Sequence, residues 1–448
     1  MTKKQLYRGL IVIFFIAIIA IVINHNIKQK ENESQTYGLL ERKGKTADSK
    51  EWKDVQNRSK TLLANLKKDP TDTKSTLKLV ALFIEEARVT GNHMYYDRAA
   101  MKYINNVLES DPNNFYALIF KSLIYLSEHH FAEGLATAQQ AKQINPSNAY
   151  VYGLLVDGNV EMGRYDSAVA YADKMVSIRP DLTSYSRVSY LREIFGDYHG
   201  AIEAMKMAVE AGGAGDEHTE WTRVQLGHLY EKTGNFKAAD SVYYFSLSLR
   251  PDYHYALEGI ARVALAANDY NKAITYFSKA DSMVNDNSLK EELVDVYRLT
   301  GQNQKADDLA NEVIEQLSKD SRAGMKDENI GHYSDQELAY AYLKVNNTDK
   351  ALEHAIMEYH RRPDNIDVNE TVAWVYYNKG DYAKALPYIN VALKTHSKNP
   401  VLLSRASLIY FKTGNKQLAK TLLNDAFSNN AYVGNELKAA TSAIMQNL

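Results

Sequence analysis

The stretch "LGHLYEKTGNFKAAD", residues 226–240, sets small residues at two fixed places around a Gly-Asn break. Gly234 adopts positive φ easily and so ends a helix, while Asn235 is a preferred cap for the helix that follows. Two antiparallel helices approach closely only where small side chains face each other. The stretch therefore predicts a tight helix–turn–helix pair in which Gly227 meets Ala239.

The same order of residue sizes recurs along the chain. Pro112, Pro146 and Pro180 are each 34 residues apart, which defines a period. A first column of small residues shares the position of Ala239, and a second lies twelve residues ahead of it. The first column consists of Ala100, Gly134, Ala168, Ala201, Ala239, Ala273, Ala306, Ala351, Ala385 and Ala419, and the second of Ser122, Val156, Ser189, Gly227, Ala261, Val294, Ala339, Ala373 and Ser407. Longer spacings predict loops near 211–219 and 318–332.

A 34-residue helix–turn–helix unit with L-G-x-x-Y, then A-x-x-x-aromatic, then proline resembles the tetratricopeptide repeat. Residues 226–251 carry the pattern nearly throughout, with Tyr243 as the aromatic and Pro251 as the closing residue. The resemblance covers roughly residues 75–431, about ten units. It implies an all-α fold, an α-solenoid whose units stack into a right-handed superhelix. Residues 155–212 also resemble a widespread bacterial branch of these proteins, to which no settled activity is attached.

An uninterrupted apolar run at Leu10–Ile23 follows Lys3, Lys4 and Arg8. The run has no polar face, which argues against a core helix, and no small-x-small cleavage pattern follows it. It therefore predicts a single-pass transmembrane signal anchor through residues 6–27 in the inner or plasma membrane. Positive charge before the run predicts a cytoplasmic N-terminus and an extracytoplasmic, or periplasmic, repeat region. The alternative is a cleaved signal peptide, because the run is short for a membrane span.

The chain is thus predicted to have five segments. They are 1–27, a cytoplasmic stub and signal anchor; 28–50, a flexible tether; 51–74, an N-terminal capping helix; 75–431, the repeats; and 432–448, a C-terminal capping helix.

Composition and motifs limit the chemistry. The 53 Lys and Arg residues balance 55 Asp and Glu residues, so no global charge favours nucleic acid. The absence of cysteine excludes thiolate nucleophiles and zinc–thiolate sites. No metalloprotease, phosphate-loop or nucleophile-elbow motif is present, so we expect neither enzymatic activity nor a cofactor. His129 and His130 lack a third ligand in sequence reach, so no metal is expected either.

The resemblance also implies where a partner would bind. In the family, the first helices of successive units line the concave face, and the residue just after the second small column points into it. The candidate groove residues, with neighbours, are Asp157, Tyr190, Trp221, His228, Arg262, Asp295, Arg298, Tyr340, Trp374 and Tyr377. Aromatic residues mixed with both charges suit a protein or peptide, although such residues also occur on the ordinary surface of a scaffold.

These observations predict a membrane-tethered scaffold that binds a protein or peptide in its groove and mediates complex assembly outside the cytoplasm. The alternative is a secreted or envelope protein, with its signal peptide cleaved, that binds a peptide or glycan.

Overall fold

The computed structural model describes residue 14 and residues 37–284, 286–324 and 331–446. Residues 1–40 and residues 41–448 form two separate units. The predicted signal anchor within residues 1–27 lies outside the described residues except at Phe14, as does the first part of the tether, residues 28–36. Among the described residues, no helix combines the length and the apolar character needed to cross a membrane.

Helices in antiparallel pairs build the second unit, and no strand occurs among its described residues. A short 3-10 turn at Gly44–Asp48 precedes α1, Lys50–Lys68. The pairs that follow are α2 Thr73–Thr90 and α3 His93–Ser110; α4 Phe115–Ser127 and α5 Phe131–Ile144; α6 Ala149–Glu161 and α7 Tyr165–Ile178; α8 Leu182–Ile194 and α9 Tyr198–Glu210; α10 Glu217–Lys232 and α11 Phe236–Leu249; α12 His254–Ala266 and α13 Tyr270–Met283; α14 Asn287–Leu299 and α15 Asn303–Gly324; α16 Asp335–Lys344 and α17 Thr348–Arg361; α18 Ile366–Asn378 and α19 Tyr382–Ala392; and α20 Pro400–Lys412 and α21 Lys416–Phe427. The last helix is α22, Asn435–Met445.

The turn between the two helices of a pair is formed by the glycine and asparagine predicted from residues 226–240. Gly234 ends α10 with a φ of 71°. The side-chain oxygen of Asn235 then accepts a hydrogen bond from the backbone N–H of Ala238 at 3.2 Å and caps α11. A residue in the left-handed backbone conformation, which glycine and asparagine adopt most easily, thus reverses the chain between paired helices.

The two small columns meet inside each pair. Ser122 Oγ donates to the Gly134 carbonyl oxygen at 2.8 Å, and Ser189 Oγ donates to the Ala201 carbonyl oxygen at 2.7 Å. These bonds join positions twelve residues apart, the predicted spacing. The repeat-packing residues Ala168, Ala201, Ala239, Ala273, Ala306, Ala351, Ala385 and Ala419 have no exposed surface, and Gly227 is also buried. Any larger side chain at these positions would have to displace the partner helix.

Gly227 also makes room for an aromatic ring. A Cβ atom at Gly227 would overlap the ring of Tyr243, and one at Gly259 would overlap the same ring. Tyr243 is fully buried and lies between these two helical glycines. The aromatic position of one repeat is therefore accommodated by glycines of its own unit and of the next.

The second helix of the first pair is one turn longer than the second helices of the next two pairs. In the later pairs the small residue is the fourth residue of the second helix, as Ala239 is in α11. Because α3 begins at His93, Tyr96 occupies that place and Ala100 lies one turn later. The Tyr96 ring packs 5.8 Å from the Phe83 ring in this extra turn. The last residues of α3, α5 and α7 are Ser110, Ile144 and Ile178, each 34 residues apart, and Ala100 is fully buried, so the extra turn precedes Ala100 and leaves it in the register of the first small column.

Two predicted boundaries also differ. Residues 41–48 do not behave as a tether, because buried Arg42 donates through Nε to Glu86 Oε2 at 3.0 Å and pairs with Glu51 at 2.7 Å. In addition, α15 extends to Gly324, so the predicted loop at 318–332 begins in helix.

In the second unit, residues about 200 positions apart in sequence contact each other. Asn365 Nδ2 donates to the Glu161 carbonyl oxygen at 3.0 Å across 204 positions, and the Ile366 N–H donates to Tyr165 Oη at 3.0 Å across 201 positions. At 34 residues a repeat, this separation is about six repeats. Turns of early repeats therefore pack on later repeats, whereas the right-handed sense of the superhelix stays a prediction.

Candidate functional site

A cavity of about 1000 Å³ lies within the first half of the second unit. Its walls come mainly from the first helices of the pairs, α2, α4, α6, α8 and α10. Four of the predicted groove residues line it: Asp157, Tyr190, Trp221 and His228. Residues from three successive repeats thus converge on one space, which we call the inner cavity.

A fixed ion pair forms one wall of the inner cavity. Arg187 donates through Nε to Asp157 Oδ1 at 2.9 Å and through Nη2 to Asp157 Oδ2 at 2.6 Å. Gly153 allows the guanidinium to approach, since a Cβ atom there would lie 3.0 Å from Arg187 Cζ. Burial opposes the charged form of Arg187, but the Asp157 carboxylate outweighs it and raises the pKa of Arg187. The two charges therefore hold each other in a defined orientation.

Aromatic side chains form another part of the lining. Tyr150 is 37% exposed and Tyr190 is 38% exposed, and burial of their hydroxyl groups raises the pKa of both. The Arg88 guanidinium lies 5.5 Å from the centroid of the Trp221 ring, and its Nη2 lies 3.2 Å from Glu217 Oε2. At neutral pH both tyrosines keep their hydroxyl protons, so each can donate a hydrogen bond beside an exposed ring face.

His228 contributes an unsatisfied polar atom to the inner cavity. Its Nε2 is buried and has no hydrogen-bond partner. Burial, and then the positive charges of Arg262 and Lys232, lower the pKa of His228 well below its usual value. The neutral imidazole therefore keeps one buried nitrogen without a hydrogen-bond partner, at a cost of roughly 1–3 kcal/mol.

Three predicted groove residues lie outside the inner cavity in ion pairs. These pairs are Arg262 Nε with Glu231 Oε2 at 3.1 Å, Asp295 Oδ2 with Lys344 Nζ at 2.6 Å, and Arg298 Nη2 with Asp307 Oδ1 at 3.5 Å. The Glu258 carboxylate also contacts Arg262. The structure therefore places these charges in contacts within the solenoid.

The remaining three lie in the second half of the unit. Trp374 stacks on Tyr377 with ring centroids 4.8 Å apart, and both rings pack against the core formed by Leu408 and its neighbours. Tyr340 lines a second cavity of about 840 Å³, which shares the lining residues His93 and Ser127 with the inner cavity. The ten predicted residues thus divide among at least three places.

Sequence reasoning missed three residues of the inner cavity: Arg88, Tyr150 and Arg187. Tyr150 shares the helix register of Trp221, two first helices later, so the column about two turns before Asp157 could have indicated it. Arg88 carried no such signal, because it reaches Glu217 from 129 positions earlier.

The second cavity contains a cluster that sequence spacing did not reveal. His129, His332 and Glu337 lie together there, with Glu337 Oε1 3.4 Å from His129 Nδ1 and 3.5 Å from His332 Nε2. Burial, and then His332, lower the pKa of His129 to about 3. Burial disfavours the charged forms of His332 and Glu337. The contact between these two side chains outweighs burial, so it raises the pKa of His332 to about 9 and lowers the pKa of Glu337 to about 2.

Residues 224–288 match the protein-family description "Tetratricopeptide repeat". This match and the all-helical paired fold support a tetratricopeptide-repeat protein. The matched residues run from α10 into the start of α14, and they include the stretch at 226–240 and the glycine-flanked Tyr243. No curated protein matches the sequence.

Several solved structures are similar in fold. The APC/C hetero-tetramer Cut9–Hcn1 matches with 16% identity over 80% of this chain and 64% of that chain, at a TM-score of 0.45. The human IFIT1 dimer with PPP-AAAA matches with 15% identity over 77% of this chain and 79% of that chain, at a TM-score of 0.48. Pseudomonas aeruginosa pilF matches with 14% identity over 46% and 93%, at 0.37. The chain thus spans less than two thirds of the Cut9–Hcn1 chain, and at these identities no function transfers from any of the three.

Proposed function

We propose that the protein is a membrane-tethered scaffold that binds an extended segment of a partner protein in the inner cavity. The observation that carries this proposal is the convergence of Asp157, Tyr190, Trp221 and His228 on one space of about 1000 Å³. Such a volume suits a few side chains of a peptide, since small-molecule and peptide pockets reach roughly 1,000 Å³. The exposed rings of Tyr150 and Tyr190 supply apolar area for it, and their hydroxyl groups can donate hydrogen bonds.

The charge of the inner cavity indicates the chemistry of the segment. Its described lining holds the carboxylates Glu51, Glu85, Asp97, Asp157, Glu193, Asp216 and Glu217 against the cations Arg88, Arg187 and Lys232. The three cations pair with Glu217, Asp157 and Glu193, and Glu51 pairs with Arg42 and Arg250. The excess of negative charge therefore comes from Glu85, Asp97 and Asp216, and it favours a segment that carries lysine or arginine. A cation can also rest on the exposed face of Tyr190, an arrangement worth about 0.5–1 kcal/mol or more when desolvated. The partner segment is therefore basic, with apolar residues beside the charges.

Photo-crosslinking tests the partner site directly. A benzophenone amino acid placed at Tyr190 or Trp221 in intact cells is expected to trap one discrete partner. Tyr244 is the matched control, because it is also a tyrosine and is 41% exposed, but it lies on α11, a second helix, and is not part of the inner-cavity lining. Equal adducts from Tyr190 and Tyr244, or none from Tyr190 and Trp221, would contradict the proposal.

The tether and its location are part of the same proposal. The support is the apolar run at Leu10–Ile23 with positive charge before it, which favours an uncleaved anchor and an extracytoplasmic repeat region. A topology reporter fused after Leu448 is expected to be active outside the cytoplasm, and the intact mass is expected to retain residues 1–23. Loss of those residues from the mature chain would instead favour the secreted or envelope form. We propose no catalytic role, because no catalytic motif is present in the sequence.

A further inference from the structure

The second cavity brings together three side chains of the kind that bind transition metals. His129, His332 and Glu337 each offer one ligand atom, and these atoms all lie within 4.8 Å of one another. The ligands of a tetrahedral zinc ion lie about 3.3 Å apart, because its bonds to nitrogen and oxygen are roughly 2.0–2.1 Å long. The two separations from Glu337 Oε1, 3.4 Å and 3.5 Å, are close to that value.

The backbone around the cluster is held in place without any ion. The Tyr333 N–H donates to the Glu128 carbonyl oxygen at 3.1 Å, and His130 Nε2 lies 2.7 Å from the Gly331 carbonyl oxygen. His129 occupies the left-handed position of the α4–α5 turn, with a φ of 62°. Its ring therefore faces that of His332, and the ring centroids are 4.0 Å apart. His129 Nδ1 also lies 3.2 Å from the Tyr333 carbonyl oxygen, so a metal bound through Nδ1 would replace that hydrogen bond while the surrounding backbone stays in place.

The donor set distinguishes between classes of metal. Two imidazoles and one carboxylate are the ligands of catalytic-type zinc sites and of related first-row metals, with the remaining positions open to water. The cluster opens to a cavity of about 840 Å³, which leaves room for such water. Glu337 Oε2 has no hydrogen-bond partner, so the carboxylate keeps an unused lone pair beside the ligand oxygen. Magnesium and calcium prefer six or more oxygen ligands, which these three side chains do not supply.

We propose that His129, His332 and Glu337 bind a divalent transition-metal ion of the zinc class. The site goes beyond the partner-binding function and does not depend on the inner cavity. Sequence spacing excluded a metal because His129 and His130 had no third ligand nearby, but the chain's return across 204 positions brings two candidate ligands to His129. A bound ion would cross-link an early repeat to a later one at this contact.

Zinc titration of the full-length chain in detergent tests the site. After the protein is stripped with EDTA, calorimetric titration with ZnCl₂ in millimolar MgCl₂ is expected to show one equivalent bound with micromolar or tighter affinity. His129→Asn, His332→Gln and Glu337→Gln are each expected to weaken this binding at least tenfold. Asparagine is chosen at 129 because it tolerates positive φ. The matched control is His199→Asn, which changes an exposed histidine outside the cluster and is expected to leave zinc affinity unchanged.

Two results would overturn the proposal. One is a wild-type chain that binds no zinc saturably in the presence of magnesium, and the other is the same zinc affinity in the three cluster variants as in His199→Asn. Circular dichroism checks that each variant is folded. If a variant unfolds, the absorption spectrum of Co²⁺ bound to the wild-type chain decides: intense visible bands of four- or five-coordinate cobalt support the site, and the weak bands of octahedral cobalt overturn it.

Discussion

Alanine substitutions in the turn glycines measure how tightly early repeats pack on later ones. Gly163 and Gly380 hold the same place in the turns of two pairs, with φ values of 72° and 81°. A Cβ atom at Gly163 would overlap the carbonyl group of Asp364 and lie 2.8 Å from the Asn365 nitrogen, whereas one at Gly380 would meet nothing within 4 Å. The two substitutions therefore share a conformational cost and differ in the steric one.

The expected magnitudes follow from these two costs. An alanine forced to positive φ costs about 1–2 kcal/mol, and this is the whole loss expected for Gly380→Ala. Overpacking against backbone that cannot move aside adds about 1–3 kcal/mol, so Gly163→Ala is expected to lose about 2–5 kcal/mol in the free energy of unfolding. Gly234→Ala and Gly414→Ala form a second matched pair, because a Cβ atom at Gly234 would overlap the Asn429 carbonyl oxygen and one at Gly414 meets nothing.

Urea denaturation of the four full-length variants, followed by circular dichroism, gives the comparison. The slope of the transition must be compared as well, because a repeat array can lose its two-state behaviour. If Gly163→Ala and Gly380→Ala lower the unfolding free energy equally, the return contact across 201 to 204 positions contributes no steric constraint and our account of it is wrong.

Three further predictions concern the packing inside pairs and the buried charges. Ala239→Leu and Ala273→Leu are each expected to lower the unfolding free energy by about 1–3 kcal/mol, and thermal melts that match the parent would rule out the pairing of small columns. Gly227→Ala gains about 0.5–1 kcal/mol of helix propensity but overlaps the Tyr243 ring, so we expect a net loss in urea denaturation that vanishes in a Tyr243→Leu background; an identical loss in both backgrounds would argue against the overlap. Burial raises the pKa of Glu258 to about 7 from 4.5, so the folded state binds this proton more tightly and stability falls as pH rises between those values; Glu258→Gln is expected to flatten the pH dependence of the urea midpoint there, and an unchanged slope would contradict the assignment.

The sequence predicted what local chemistry controls. The Gly234–Asn235 turn and the burial of Ala239 depend on residues a few positions apart, and the structure confirms both. The small-residue spacing did not reveal that α3 begins one turn earlier than its counterparts, because that extra turn precedes Ala100 and leaves the 34-residue spacing unchanged.

Residue spacing in the sequence could not predict the contacts between early and late repeats. The groove column placed Asp157 and His228 near one another because adjacent repeats stack in register. It did not place Arg88 against Trp221, or His332 against His129, because those neighbours depend on how far each repeat rotates about the solenoid axis. That rotation is set by packing along the whole array and has no local motif.

The return of the chain has a consequence for how the molecule can change in evolution. In an open array, loss of one 34-residue unit shortens the structure and leaves other contacts intact, because each unit touches only its neighbours. Here Asn365 contacts the turn at Glu161, so deletion of any repeat between them would bring a different surface against that turn. The number of repeats between partners is therefore as constrained as an active-site residue would be, and variation in length is expected only at the ends of the chain.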